Sequence, residues 1–579
     1  MKHDPQNPSW PQRDKMVVSI GHISPAVYSC LGVQGYYPLE DAVVQYRQHG
    51  SIFEGHIERD VPGVEWSSGN LGQGLSAAAG FAISSRLKSI DNHTYVLMGD
   101  GEQQKGQLSE ARRFAAKYKL SNLTAIVDYN QLQISGSIHE VMPQRIRQNW
   151  ESDGWQVLEV NGHDINQILD TLEEAKRADV PVMILAHTVM GKGVSFMENK
   201  AKYHGSTLSE ELHLEAIKEM GMEHDLDRLR DKRAAYKADS SAHFRDSSPL
   251  YDLSPGKPIL YSSDSDCRSA WGKALADLGV LNKEKKTPIV VVDCDLSTSV
   301  KTSDFAAAMP ERFLQSGIME HHAAVMSGAI STTDTQCFWS DFGVFGIDEV
   351  YNMQRLNDIN HTNLKTVVTH VGTDVGGDGK THQCVDYISL ARTLFDTRII
   401  CPADANHTDR IIRWLIDKPG NYFVTMGRSK LPILKDQEGE IFYDQDYCYD
   451  YGKADILRPG DQGTVFVTGT PAGRAMKAVD SLRDQGIFVE LVYISSPLCI
   501  DQELIESAVK RGPIFSVEDH SIHGGLGTSI AEAIVEGEHK AKLIRFGVRE
   551  YPVSGDPVDL FKAMGMDSAA LIKSIKEAL

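Results

Sequence analysis

The stretch from His93 to Asn130 constrains the fold more than any other part of the chain. "HTYVLMGD" reads as a buried strand ending at a turn, "LSEARRFAAKYKL" as a helix, and "LTAIVDYN" as a second buried strand. Strand, helix, strand at this spacing predicts a parallel pair joined by a right-handed crossover. In such a unit both strand ends open onto the same sheet edge, where ligands bind. The first end carries Gly99-Asp100-Gly101-Glu102 and the second Asp128-Tyr129-Asn130, with 28 residues between Gly101 and Asn130.

Neighbouring strands lie about 4.8 Å apart, so Asp100 and Asn130 can reach one cation together. Carboxylate, amide carbonyl and backbone carbonyl oxygens are hard donors that suit Mg²⁺ or Ca²⁺ with places left for phosphate oxygens. Gly99 and Gly101 let the backbone approach a diphosphate and leave N–H groups free at a helix start. An isolated Gly-Asp-Gly is usually only a turn; the βαβ pattern between the two halves raises it to a binding-site candidate.

The alternation of strand and helix recurs along the 579 residues, too long a chain for one core. "TPIVVVDCD", "LKTVVTHVG" and "TRIICPAD" read as strands of a second block, and "GTVFVTGT", "FVELVYI" and "GPIFSVED" as strands of a third. The expected layout is an α/β unit over 1–240, a Ser-, Asp- and Pro-rich linker over 241–260, a second unit over 261–435 and a third over 450–579. A formal charge of −20 disfavours nucleic acid and anionic membranes as partners, so anionic substrates require a local basic pocket. The eight cysteines stand singly with no CxxC pair, which argues against a disulfide framework or a zinc site. The N-terminus has no apolar signal region and no run of about 20 apolar residues exists to span a bilayer. The expectation is a soluble, cytoplasmic protein.

Gly-Asp-Gly with its downstream Asn resembles the thiamine diphosphate signature, and the chain resembles the transketolase family over nearly its whole length. The resemblance implies three consecutive parallel-sheet α/β domains, with a thiamine diphosphate-binding fold in the first two and a smaller C-terminal domain that shapes the dimer. In the first block it implies that Asp100, Asn130 and the Leu132 carbonyl hold the metal, Mg²⁺ with Ca²⁺ or Mn²⁺ as alternatives. His22 in "SIGHIS", His56 in "EGHIERDVPGVEWSSGNLGQG" and His204 in "KYHGSTL" match active-site histidines. Gly69, Asn70, Leu71, Gly101, Glu110 and Ile134 match cofactor-side positions.

In the second block, "FLQSGIMEHHAAVMSGAI" places Glu320 where the family's glutamate bonds the cofactor's aminopyrimidine N1′. Partial burial would raise its pKa and let it hold that proton. Phe342 and Phe345 resemble the aromatics around the pyrimidine, and Asp295 a cofactor- or substrate-side acid. Arg268, Ser299 and Arg428 match phosphate-holding residues, a role that suits the planar fork of arginine. His370, Asp378 and His382 in "HVGTDVGGDGKTHQ" resemble contacts to phosphate and sugar hydroxyls.

The implied activity is reversible transfer of a two-carbon ketol unit between sugar phosphates, through a carbanion–enamine carried by thiamine diphosphate, in a homodimer with its active sites at the subunit interface. One of His22, His56 and His382 would remove the C3 hydroxyl proton. Three positions depart from the family. Its N-terminal Ser-Gly-His-Pro segment has no counterpart, implying a truncated start or a protein that works without it. Lys105 replaces a usual interface glutamate, with Glu110 as its expected partner, and Asp348 replaces an aromatic or basic residue. Alternatives are another thiamine diphosphate enzyme (dihydroxyacetone synthase, deoxyxylulose-phosphate synthase or a sulfo-sugar transketolase) or an inactive, partner-dependent homologue. In the third block, the glycines of "VEDHSIHGGLG" read as a helix-entry turn rather than an anion site.

Overall fold

A computed structural model describes residues 1–223, 225–237, 249 and 251–579. They form two compact units, Met1–Ser247 with Gly328–Thr333, and Ser248–Ser327 with Asp334–Leu579. Of the linker expected over 241–260, positions 241–248 and 250 lie outside the described residues. The rest of it is no free tether. Leu253 is buried in a core cluster, and Asn282 clamps Ser254 by accepting from its N–H at 2.7 Å and donating to its carbonyl at 3.0 Å.

The first unit is built on five strands: β1 (Lys15–Val18), β2 (Thr94–Gly99), β3 (Leu123–Tyr129), β4 (Gln156–Asn161) and β5 (Val182–His187). Their order is β1-β2-β3-β5-β4, all parallel. The helix Gly106–Lys117 joins β2 to β3, as the apolar periodicity predicts. The register sets Gly99 opposite Asp128, so the two motif-bearing strand ends stand side by side.

The second unit contains two large sheets, beside a two-stranded antiparallel pair of Ser265–Asp266 with Lys430–Leu431. One has six parallel strands: β6 (Ile289–Asp293), β7 (Phe313–Gln315), β8 (Gln336–Phe342), β9 (Lys365–Thr369), β10 (Thr397–Ile400) and β11 (Asn421–Thr425), in the order β7-β6-β8-β9-β11-β10. Strands β6, β8, β9 and β11 are buried along their whole length, as a parallel sheet covered on both faces requires. The helix Cys267–Leu281 covers part of it, capped by Asp266, which accepts from Ser269 N–H at 2.9 Å. Its Trp271 is fully buried and donates through Nε1 to the Val300 carbonyl at 3.1 Å.

The other sheet has β12 (Asp455–Arg458), β13 (Thr464–Thr468), β14 (Glu490–Tyr493), β15 (Ile514–Ser521) and β16 (Leu543–Val548), in the order β12-β14-β13-β15-β16. Edge strand β12 runs antiparallel to β14 with a register shift between Ile456 and Arg458, the one departure from a parallel sheet. The polar stretch before it is anchored by aromatics. Tyr443 is fully buried and stacks on His407 at 4.0 Å between ring centroids, and Tyr449 is buried in the core cluster around Trp271. "VEDHSIHGGLG" does enter a helix, Leu526–Glu536. Glu518 takes up the helix's leading amides, accepting from Leu526 at 2.6 Å and Gly527 at 2.9 Å. The place an external anion would occupy is thus filled by the chain's own carboxylate.

Leu275 is fully buried in the core cluster of the second unit. Its substitution by Ala is expected to cost about 2–5 kcal/mol, read as an earlier urea transition of this unit; an unchanged transition would contradict the packing.

Candidate active site

The first unit gathers its candidate residues around the ends of β1, β2 and β3. Asp100 follows β2, is almost fully buried, and accepts a hydrogen bond from Gln131 N–H in the loop after β3. Burial pushes its carboxyl up to about 6, with the nearby Asp128 adding to the rise. Asp128 is itself held by the Thr188 hydroxyl and by Asn130 Nδ2 at 3.1 Å. Asn130 Oδ1 accepts from Leu132 N–H at 2.9 Å, which folds the 130–132 backbone into a tight turn. Two adjacent acids that form no ion pair among the described residues, next to amide and backbone oxygens, fit a hard divalent ion. Among the described residues no group of three His, Cys, Asp or Glu side chains could hold a metal, so such an ion would rely on Asn130 and the Leu132 carbonyl beside Asp100.

His22 lies in the short 3₁₀ turn Gly21–Ile23 after β1, with its ring 5.7 Å from that of His204. Burial and the neighbouring His204 and His56 lower its pKa, so three histidines far apart in sequence share one neighbourhood. Gly69 and Asn70 are exposed, and Leu71 packs against the cluster around Val18 and Ile20. A Cβ on Gly69 would meet nothing within 4 Å, whereas one on Gly101 would press against the Gln133 amide. Ile134 is 73% exposed and lies against Gly205, beside His204. Glu110 sits half-buried on the helix Gly106–Lys117, and the stem of exposed Lys105 covers Gly72.

Sequence reading missed the residue that ties these loops together. Glu102 is 2% exposed and accepts from the Ser19 hydroxyl at 2.6 Å, from Gly99 N–H at 3.0 Å and from Gly72 N–H. It binds the end of β1, the end of β2 and the Gly-rich turn to one carboxylate, which burial pushes up to about 7. Its place in the motif was visible. Its two distant partners, Gly72 and Ser19, 30 and 83 residues upstream, were not.

The second unit assembles a separate group. Glu320 is the first residue of the helix Glu320–Ser331, just after β7, and is half-buried. Close to it, Asp341 at the end of β8 is fully buried and raised well above the carboxylate range, first by burial and then by the Glu320 charge. Phe342 and Phe345 lie 6.0 Å apart and stacked, the second in a π-helical turn, Val344–Glu349, that also carries exposed Asp348. The Phe342 ring is 3.8 Å from that of His370, and Phe345 meets His382 edge-on at 5.6 Å.

The expected phosphate residues contact one another. Arg268 donates to the Ser299 carbonyl at 3.0 Å and to the Arg428 carbonyl at 2.8 Å, and Arg428 donates to the Val375 carbonyl at 3.1 Å and faces Asp378 at 3.5 Å. Asp295 is exposed, in a left-handed conformation (φ 66°), with its N–H donating to Gln315 at 2.8 Å. The acid that shapes its loop is instead buried Asp293, which accepts from Leu296 N–H at 2.9 Å, Gln315 Nε2 at 2.7 Å and the Thr302 hydroxyl at 2.8 Å.

His370 records the charge of this pocket. Burial lowers its pKa to about 3, helped by Arg268, Arg428, His382 and Lys301, so cations converge here in a chain of net charge −20. Between about 3 and the ordinary 6.5 the unfolded chain binds a proton that the folded state refuses. This histidine therefore removes stability as pH falls through that window. In the ligand-free protein its NMR signals are expected to hold their neutral positions from pH 8 down to about 4. A midpoint near 6.5 would contradict the cationic enclosure.

Comparison with known proteins gives a consistent result over the whole chain. Residues 1–242 match the family model for the transketolase thiamine diphosphate binding domain, 265–433 the transketolase pyrimidine binding domain, and 452–571 the transketolase C-terminal domain. Transketolase of Mus musculus is 27% identical over 590 residues, covering 100% of this chain and 90% of that protein. A 6-deoxy-6-sulfo-D-fructose transketolase subunit of Clostridium sp. is 40% identical over 226 residues, 38% of this chain and 82% of that one. The crystal structure of transketolase from Campylobacter jejuni superposes with a TM-score of 0.84 at 25% identity, covering 100% of this chain and 93% of that one. Transketolase from Leishmania mexicana, at 24% identity with a TM-score of 0.85, covering 100% and 91%, shares the fold.

Proposed function

The chain belongs to the transketolase family, and on that premise we propose that it moves two-carbon ketol units from a ketose phosphate to an aldose phosphate. The observation that carries the substrate class is the joined pair Arg268 and Arg428, with His370 and His382 beside them, in a strongly acidic chain. When bound, thiamine diphosphate supplies the nucleophilic carbon and the electron sink that let a C2–C3 bond break. Asp100, Asn130 and the Leu132 carbonyl would hold the divalent ion, and Gly69, Asn70, Leu71, Gly101 and Ile134 would line the cofactor. Glu320 would hold a proton at the pyrimidine N1′, with Phe342 and Phe345 as the aromatic neighbours of that ring. His22, His56, His204 and His382 bind the sugar's oxygens, and one of His22, His56 and His382 takes the C3 hydroxyl proton. Arg268, Ser299, Arg428 and His370 fix the phosphate, and Asp378 a hydroxyl.

The two groups of residues serve as halves of sites shared between subunits of a homodimer. What supports this is the match of residues 1–242 to the family's thiamine diphosphate binding domain and of 265–433 to its pyrimidine binding domain, two portions that would both face one cofactor. The likeness to a sulfo-fructose transketolase subunit favours one second reading, a donor ending in a sulfonate rather than a phosphate. The ratio of kcat/KM for fructose 6-phosphate to that for 6-deoxy-6-sulfofructose decides between the two.

With thiamine diphosphate and Mg²⁺ present, coupled turnover of xylulose 5-phosphate and ribose 5-phosphate is expected. Glu320→Gln should lower kcat by about 10²–10⁴ with cofactor binding retained. Cofactor binding with no turnover on any ketose phosphate or sulfonate would indicate an inactive homologue instead.

A further inference from the structure

The acid after Glu518 in the third sheet has a different office. Asp519 is buried and accepts four hydrogen bonds, three of them from one loop: Thr373 N–H at 2.8 Å, the Thr373 hydroxyl at 2.7 Å and Asp374 N–H at 3.1 Å. The fourth comes from the Thr470 hydroxyl at 3.0 Å. Asp374 passes the constraint on, its Oδ2 accepting from both Arg428 N–H and Ser429 N–H at 2.7 Å. Glycines mark how tightly these layers approach. A Cβ on Gly372 would overlap the Asp519 carboxylate, and one on Gly427 would overlap Thr470 and Asp374.

The far end of the same loop is braced from the same side. A Cβ on Gly376 would crowd Gly555 and Pro557, one on Gly379 would overlap Ser554, and Gln383 donates to the Val553 carbonyl at 3.4 Å. The loop between these braces carries Asp378 and is flanked by His370 and His382, and Arg428 reaches back to it through Val375 and Asp378. Asp519 of the third sheet, with Thr470 and the 553–557 segment that follow its strands, thus fixes the backbone on which the cationic group is mounted.

We propose that Asp519 is a positioning residue for recognition of the substrate's phosphate, acting through Asp374 on Arg428 and through Thr373 on the 373–379 loop. The proposal rests on the phosphate role given to Arg428 above. A guanidinium must meet phosphate oxygens in a fixed planar geometry, so a small tilt of the 427–429 backbone weakens that contact more than contacts elsewhere on the sugar.

The test compares xylulose 5-phosphate with xylulose as donors for the holoenzyme carrying Asp519→Asn, Thr470→Val or Arg428→Lys. Asp519→Asn is expected to raise KM for the phosphorylated donor about tenfold more than for the free sugar, and Thr470→Val about two- to threefold more. Thr470→Val removes a single hydroxyl, so it decides the matter if Asp519→Asn does not fold. Equal effects on both donors, or no effect, would overturn the proposal. If Arg428→Lys discriminates between the donors and the other two variants do not, only the positioning role falls. If Arg428→Lys itself does not discriminate, the phosphate reading falls and takes the positioning role with it.

Discussion

Buried carboxylates that accept backbone N–H groups hold both groups of candidate residues in shape. Glu102 draws together the ends of two strands and a Gly-rich turn in the first unit. In the second, Asp293 folds the loop of Asp295 and Ser299, while Asp519 and Asp374 fasten the segments of Asp378 and Arg428. Removing an acid from water is costly, as the rise of Glu102 to about 7 and of Asp519 to about 6 reflects. Two or more amide or hydroxyl donors on each group offset that cost. The same arrangement explains why glycine stands at 72, 372 and 427, where the backbone must come within reach of a carboxylate or its neighbours.

Much of this was legible in the sequence, for physical reasons that also set the limit. The strands "HTYVLMGD", "LTAIVDYN" and "TPIVVVDCD" carry an unbroken apolar run at their centres because a parallel sheet buries both faces, and each emerges where expected. Gly-Asp-Gly and Asn130 follow from that sheet, since parallel strands deliver their ends to one edge. The meeting of Arg268, Ser299 and Arg428 was carried by family resemblance alone. No local pattern relates positions separated by 160 residues. The bracing acids were illegible for the same reason: an Asp whose partners lie 145 residues away looks like any other Asp. The polar stretch before β12 falls between the expected second and third units, yet Tyr443 and Tyr449 anchor it, because a buried aromatic removes a large apolar area from water.

Division of labour follows from this architecture. The first unit offers oxygen donors and histidines, the second an acid, aromatics and cations, and neither set alone comprises both a diphosphate anchor and a phosphate clamp. The proposed dimer joins them, each subunit supplying one half of every site. On the positioning role proposed for Asp519, the third sheet would matter to substrate recognition without contributing a side chain that touches substrate.

Subunit complementation tests this account most directly. Asp100→Asn and Glu320→Gln each disable one half-site, so either protein alone should be inactive. In a mixed dimer one of the two shared sites keeps both halves intact. Co-expressed at equal levels, the two variants should recover about a quarter of wild-type ketol transfer, since half the dimers are mixed and each has one working site. Mixed dimers that form and remain inactive would contradict the sharing of sites between subunits.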